Sequence, residues 1–273
     1  MSSIFDLTNR CIAITGAAGL LGREFATSLA ESGANLILLD IDPVSLHRLR
    51  DDVYQRFNVR VMALVVDITN DAQVQEAVVT AQREFGQISG LINNAARNPV
   101  VGSNGLVSRN RLEEFTLDTW NEDLAVGLGG AFLCSKYFGM VMATQQDGGV
   151  IINISSDLGL ISPDQRLYRT KNTPISQQPV KPVSYSIVKT GILGLTRYLA
   201  TYWPGKVRCN AICLGGVELD QGQEFIEKIS NLIPLGRMAR ISEYGPTMVY
   251  LMSEASSYLN GAIIPIDGGR TSW

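Results

Sequence analysis

The chain of 273 residues holds one histidine and four cysteines, and none of the cysteines forms a Cys-x-x-Cys pair. His47 falls among Arg48, Arg50 and Asp51 on a helical pattern, as a solvated surface residue does. Cys11, Cys134, Cys209 and Cys213 each lie in an apolar stretch, as reduced structural thiols do, so no metal site is expected. Positive charge is also scarce: the formal net charge is -3 and no predicted helix carries a Lys/Arg cluster, which argues against nucleic acid as a main partner. No apolar run reaches about 18 residues, and the start has no basic segment ahead of a long apolar core. Neither a membrane span nor a secretory signal is expected, and a cytoplasmic location follows by default. What is present is 45% hydrophobic residues against 18% charged, enough for one large core. The simplest reading is one domain over residues 1–273.

The order of patterns is that of an α/β protein. Cys11-Ile-Ala-Ile-Thr15 is apolar without alternation, which predicts a strand covered on both faces. Gly16-Ala-Ala-Gly19-Leu20-Leu21-Gly22 then leads into a helical pattern, a context in which glycines let the backbone approach a pyrophosphate at a helix N-terminus. A second strand, Asn35 to Leu39, ends in Asp40, about 20 residues past the turn, where a carboxylate accepts from both adenosine ribose hydroxyls and repels a 2′-phosphate. NAD is therefore preferred over NADP. Asp42 before Pro43 is the better candidate for capping the next helix. A third buried strand is expected over Arg60 to Val66. Asp67, which follows, either bonds an adenine amino group or caps the helix of residues 71 to 85.

The fourth strand runs into Asn93-Asn94-Ala95-Ala96, small and amide-bearing residues suited to tying loops together. A loop is expected from Arg97 to Arg111. Helices follow over Leu117 to Leu124 and Phe132 to Ala143, interrupted by Gly127, Gly129 and Gly130. A strand from Val150 to Ile154 ends in Ser155-Ser156, where a hydroxyl can donate to a substrate carbonyl oxygen. Residues 160–183 form a proline-rich insert bearing Arg166, Arg169, Lys171 and Lys181; loops this long inside a domain are usually functional, the alternative being a solvated excursion or a subunit contact. A sixth strand is expected over Val207 to Cys213, helices over Gln221 to Leu232 and from a Ser242 cap to Met252, and a last strand over Ala262 to Ile266. Such alternation implies right-handed crossovers and a parallel sheet with ligands at the carboxyl ends of its strands.

Between the insert and the sixth strand stands Tyr185-Ser-Ile-Val-Lys189, opening an apolar-periodic run. Four residues apart on a helix, the phenol and the ammonium project into one cleft. A nearby ammonium favours phenolate and draws the tyrosine towards a range where it exchanges a proton during turnover.

Taken together, Thr15-Gly16-x-x-Gly19-x-x-Gly22, Asp40, Asp67, Asn93-Asn94-Ala95, Ile152-Asn153-Ile154-Ser155-Ser156, Tyr185-x-x-x-Lys189, Asn210 with Gly215-Gly216, and Asp267-Gly268-Gly269 resemble the short-chain dehydrogenase/reductase family over essentially the whole length. The resemblance implies a Rossmann-like, doubly wound parallel sheet of seven strands in a three-layer α/β/α domain, assembled as a homotetramer or homodimer. It implies a catalytic set of Ser156, Tyr185 and Lys189. NAD(P) would meet Gly16, Gly19, Leu20, Leu21, Asp40, Asp67, Ile68, Asn93, Ala95, Gly215 and Val217, together with Tyr185 and Lys189. Three departures stand out. Gly19 replaces a middle glycine usual at position 20; Gly127 replaces an asparagine that holds a relay water; Leu214 replaces a proline, while the gap from serine to tyrosine is unusually long.

Within the family the chain looks most like the flagellin-modification and surface-sugar oxidoreductases. The substrate expected is then a polar alcohol or ketone, perhaps a phosphorylated or nucleotide-linked sugar whose anionic part meets Arg97, Arg166, Arg169 or Lys171. The alternatives are a 3-oxoacyl thioester or gluconate-type reductase and, in another class, a catalytically degraded NAD-binding regulator or scaffold.

Overall fold

The computed structural model describes residues 3–97 and 110–273, so the loop expected between Arg97 and Arg111 lies largely outside the described residues. Seven strands form one sheet in which every pairing is parallel. They are β1 (Cys11–Thr15), β2 (Asn35–Asp40), β3 (Val61–Val65), β4 (Gly90–Asn93), β5 (Gly149–Ser156), β6 (Val207–Leu214) and β7 (Ile263–Ile266), in the order β3-β2-β1-β4-β5-β6-β7. The winding reverses between β1 and β4, and such a reversal opens a crevice at the carboxyl ends of the strands.

The strands are apolar throughout because both faces are covered, and the period of two sorts their side chains between two cores. Ile12, Ile14, Leu36, Leu38 and Ile152 face one layer, made by α1 (Leu20–Glu31), α2 (Pro43–Arg56) and α8 (Gly245–Met252), with Phe25, Leu46 and Tyr244 inside it. Cys11, Ala13, Ile37, Leu39 and Ile151 face the other, with Val74 of α3 (Asp71–Phe85), Phe138 of α5 (Ala131–Thr144) and Leu199 of α6 (Val183–Tyr202). All four cysteines are free and buried. His47 is exposed.

Several expectations are corrected. β3 is an edge strand, so it is half-buried, and Val65 is 50% exposed. The glycines at 127–130 do not break the helix: a π-helical turn, Ala125–Gly130, joins α4 (Leu117–Leu124) to α5 in one continuous helix. Their lack of side chains is needed there, because a Cβ on Gly127 would lie 2.3 Å from Val188 of α6 and one on Gly130 2.3 Å from Ile68. That helix, Leu117–Thr144, is the one described helix long and apolar enough to span a membrane, and it packs on α3, α6 and the sheet. α7 spans only Gln223–Ser230, and β6 runs one residue further, to Leu214. Ser242 caps nothing. It sits in a short 3-10 turn, and α8 begins at Gly245, where Ser28 of α1 leaves no room for a Cβ.

Asp42 caps α2, its carboxylate accepting from Val44 N and Ser45 N. Asn70, not Asp67, caps α3. The insert is more than a solvated excursion: it makes 3-10 turns at Gln165–Tyr168 and Ile175–Gln177 and buries Leu167 against Ile229, Ile233 and Met238.

Candidate active site

At the carboxyl end of β1 the chain turns at Gly16, whose φ of +61° disfavours any residue with a Cβ. A Cβ there would also lie 2.7 Å from Ala95 Cα, so the turn and the segment after β4 touch backbone to backbone. Thr15 Oγ1 accepts from Asn94 N at 3.0 Å and Ala95 N at 3.1 Å, and the Asn94 amide donates to Thr15 O and Gly16 O. Gly19 precedes α1 with no side-chain cap, and Leu20 behind it is 46% exposed while Leu21 is half-buried. The uncapped helix start and the glycine cradle have the form that receives a pyrophosphate. Asp40 closes β2 beside them, its carboxylate accepting from Ala18 N at 2.9 Å and Asp42 N at 3.1 Å. Asp67 is turned onto Thr69, accepting from its N–H and its hydroxyl, and Ile68 packs under the π-helical turn. The residues present fit a dinucleotide.

Asn93 points the other way, into the protein. Its amide donates to Ser135 Oγ at 2.9 Å and Asn153 Oδ1 at 2.8 Å, and Asn153 donates to Thr196, so a buried polar chain stitches β4 and β5 to α5 and α6. On the far side of the crevice, the backbone N–H of Gly215 donates to Ile266 O and its carbonyl accepts from the Tyr244 hydroxyl. Val217 pairs with Ala239 two residues on.

The two serines ending β5 point in opposite directions, as strand periodicity requires. Ser155 Oγ donates to Lys189 O at 2.7 Å and so fixes α6 to the sheet. Ser156 is hydrogen-bonded towards Tyr185, and its Oγ donates to Asp157 Oδ1 at 2.7 Å. Lys189 is 8% exposed, and its Nζ donates to Ile154 O at 3.0 Å. Burial, and next the charge of Lys181, push its ammonium down from 10.5 to about 8. Its Nζ stands 5.8 Å from the centre of the Tyr185 ring.

One electrostatic expectation is reversed. Desolvation pushes the Tyr185 phenol above its ordinary value, with the Ser156 hydrogen bond opposing it and the charge of Asp157 adding to it. Enclosure outweighs the bond from Ser156.

Three further charges stand at this centre, of which the sequence had marked only Lys181, as one cation of the insert. Lys181 stacks on the Tyr185 ring at 3.8 Å, and burial brings it too to about 8. Gln165 clamps its backbone, accepting from Lys181 N and donating to Lys181 O. Asp157 and Arg270 form an ion pair at 2.5 Å with side chains 4% and 7% exposed, which ties the chain's end to the residue after Ser156. Only the long separation along the chain hid that pair. Of the four cations expected to meet an anionic substrate, Arg166 is held by Asp164, while Arg97, paired with Glu122, lines the cavity beside Tyr185 and Lys189. Arg169 and Lys171 are exposed.

A parallel sheet with a glycine cradle at its switch point, and a serine, a tyrosine and a lysine converging beside it, defines a dinucleotide-dependent oxidoreductase. The short chain dehydrogenase family profile matches residues 10–169, and that of the enoyl-(acyl carrier protein) reductases matches residues 175–271. The chain is 31% identical to galactitol 2-dehydrogenase (L-tagatose-forming) of Cereibacter sphaeroides, over 99% of this chain and 98% of that one. It is 29% identical to D-threitol dehydrogenase of Mycolicibacterium smegmatis, over 98% and 95%. The structure of NAD+-bound xylitol dehydrogenase superposes with a TM-score of 0.81 at 25% identity, over 96% of this chain and 99% of that one. The chain belongs to the short-chain dehydrogenase family and is an oxidoreductase.

Proposed function

We propose that this protein is an NAD-dependent polyol dehydrogenase that interconverts a secondary hydroxyl of a sugar alcohol and the corresponding ketone. The observation that supports it most is the convergence of Ser156 and Tyr185 over the buried Lys189, in a chain whose likeness to a galactitol dehydrogenase runs end to end. The bound dinucleotide supplies the hydride acceptor or donor. The glycine turn at 16–22 would hold its pyrophosphate, Asp40 its adenosine ribose, Asp67 and Ile68 its adenine, and Ala95, Gly215 and Val217 its nicotinamide half. Tyr185 takes the substrate's hydroxyl proton in oxidation and returns it in reduction. Ser156 donates to the reacting oxygen, and Lys189 provides the positive charge that the enclosed phenolate needs. Asp157, clamped by Arg270, holds Ser156 in place.

The paired state of Arg166 and Arg97 leaves the nucleotide-linked sugar of a surface-glycan enzyme with less support than a neutral polyol. Asp40 supports NAD, because a carboxylate there repels a 2′-phosphate. Exposed Phe132 and Met140 on α5, with Tyr198 and Tyr202 on α6, support assembly as a homodimer or homotetramer.

The test is a panel of galactitol, threitol, gluconate, nucleotide sugars and 3-oxoacyl thioesters with NAD and NADP. The expected result is turnover of a polyol with NAD, reduced about a thousandfold in Tyr185→Phe with NADH binding retained. Preference for thioesters, or a fully active Tyr185→Phe, would remove this reading.

A further inference from the structure

The cofactor cradle and the serine, tyrosine and lysine leave the insert before α6 without a role, although it is a built structure. Gln178, 8% exposed, ties it internally: its side chain accepts from Thr170 N at 2.8 Å and donates to Thr173 O at 2.6 Å. Tyr168 lays its ring against Phe225 of α7, with centroids 5.8 Å apart, beside the small core around Leu167. Ordering so long a segment costs conformational entropy, which these contacts must offset. What the segment delivers to the centre is Lys181. Its Nζ stands 3.8 Å from the centre of the Tyr185 ring, closer than the 5.8 Å of Lys189. The backbone is fixed from both sides: Gln165 accepts from Lys181 N at 2.9 Å, and Pro182 behind it is the N-cap of α6. Two ammoniums from separate parts of the chain thus stand beside one phenol ring.

Both are held there at a cost. Burial, the larger cause, lowers each to about 8, and the charge of Lys181 adds to the lowering of Lys189. In the resting chain enclosure keeps the proton on the phenol, and the two ammoniums repel each other beside a neutral ring. Once the proton leaves, the negative charge meets both of them. A cation near an aromatic face is attracted to it, and an opposite charge at this range favours the ionised ring over the neutral one. The arrangement is complementary to phenolate, and interactions stronger in the reacting state than in the resting one are those that speed a reaction.

Resting on the dehydrogenase reading, we propose that Lys181 is a positioning residue for the reaction: the insert sets its ammonium on the Tyr185 ring as a second positive charge, which favours the phenolate that takes the substrate's proton. Lys181 itself gains and loses nothing in that step. The other charged and titratable groups facing the ring or this ammonium are Lys189 of α6, Asp157 after β5, Tyr168 of the insert, and Asp123 and Arg97 in the cavity on the flank of Tyr185. Asp157 opposes the phenolate, and its ion pair with Arg270 mutes that opposition, while the same carboxylate supports Lys181 as an ammonium.

A lysine stem that merely covers the ring predicts differently, and the pH profile of oxidation separates the two. Lys181→Met keeps the cover and loses the charge. With galactitol or the fastest polyol of the panel and saturating NAD, the rising limb of kcat against pH is expected to move upward by about one unit, because a phenol deprived of a nearby cation holds its proton more tightly. On the acid side of that limb the rate then falls about tenfold, and the two profiles converge at alkaline pH, where the phenolate forms in either protein. Lys181→Arg, which keeps a cation there, should bring the limb back towards the parent. If Lys181→Met is insoluble, Lys181→Gln is read in the same way. A limb that does not move, or a loss that is uniform at every pH, overturns the proposal and leaves the dehydrogenase reading standing. An unmodified chain that turns over no polyol removes that reading and this role for Lys181 with it.

Discussion

The two ends of the crevice are built differently. Around Gly16 the chain presents backbone: tight glycines, an uncapped helix start, and a carboxylate at Asp40 that accepts from the neighbouring N–H groups. Around Tyr185 it presents charge taken out of water: Lys189, Lys181, Asp157 and Arg270, drawn from α6, the insert, the turn after β5 and the chain's end. The first end recognises by shape and costs little to fold. The second holds ionisable groups where burial opposes their charge, at a cost in stability that the proposed proton chemistry would explain.

Three substitutions would break or sharpen that contrast. The largest effect is expected at the charged end: Asp157→Ala leaves Arg270 buried without its carboxylate, which costs about 3–5 kcal/mol by urea unfolding and loosens Ser156. At the backbone end, Gly16→Ala puts a Cβ against Ala95 in a left-handed conformation. A loss of about 2 kcal/mol and of NADH binding is expected, read by melting and by cofactor fluorescence. An Ala variant that binds NADH normally would contradict the close approach.

The smallest effect has the opposite sign. Lys189 has a folded value of about 8 against an ordinary 10.5, so between these pH values the unfolded chain binds more protons and stability rises with pH. Below pH 8 the full cost of the buried ammonium is present. Lys189→Met should therefore stabilise the cofactor-free protein by about 1 kcal/mol at pH 7 while abolishing turnover, and the gain should fade as pH rises towards 10.5. Melting curves at pH 7 and pH 10 would check it, and a destabilised variant would mean that the bond to Ile154 O outweighs burial.

The same contrast explains what could be read before the structure. The cradle, Asp40 and the Asp42 cap are local, each a residue type needed at a fixed distance along the chain, and all were legible. So was the seven-stranded parallel sheet, since uninterrupted apolar strands between amphipathic helices have few other ways to bury both faces. The Tyr185–Lys189 spacing was legible as well, but not the sign of the phenol's shift, because spacing says nothing of enclosure. Glycine at 127–130 was read as a break because propensity favours one; packing against Val188 and Ile68 overrode it.

By itself, then, the order of residues determined the fold and the glycine turn after β1, because these follow from periodicity and from contacts a few residues long, while the serine, tyrosine and lysine were picked out by the resemblance to a family. Only tertiary structure decided the electrostatics around them. Asp157 meets Arg270 from 113 positions away and Asp123 meets Ser184 from 61, separations at which sequence spacing carries no geometric information.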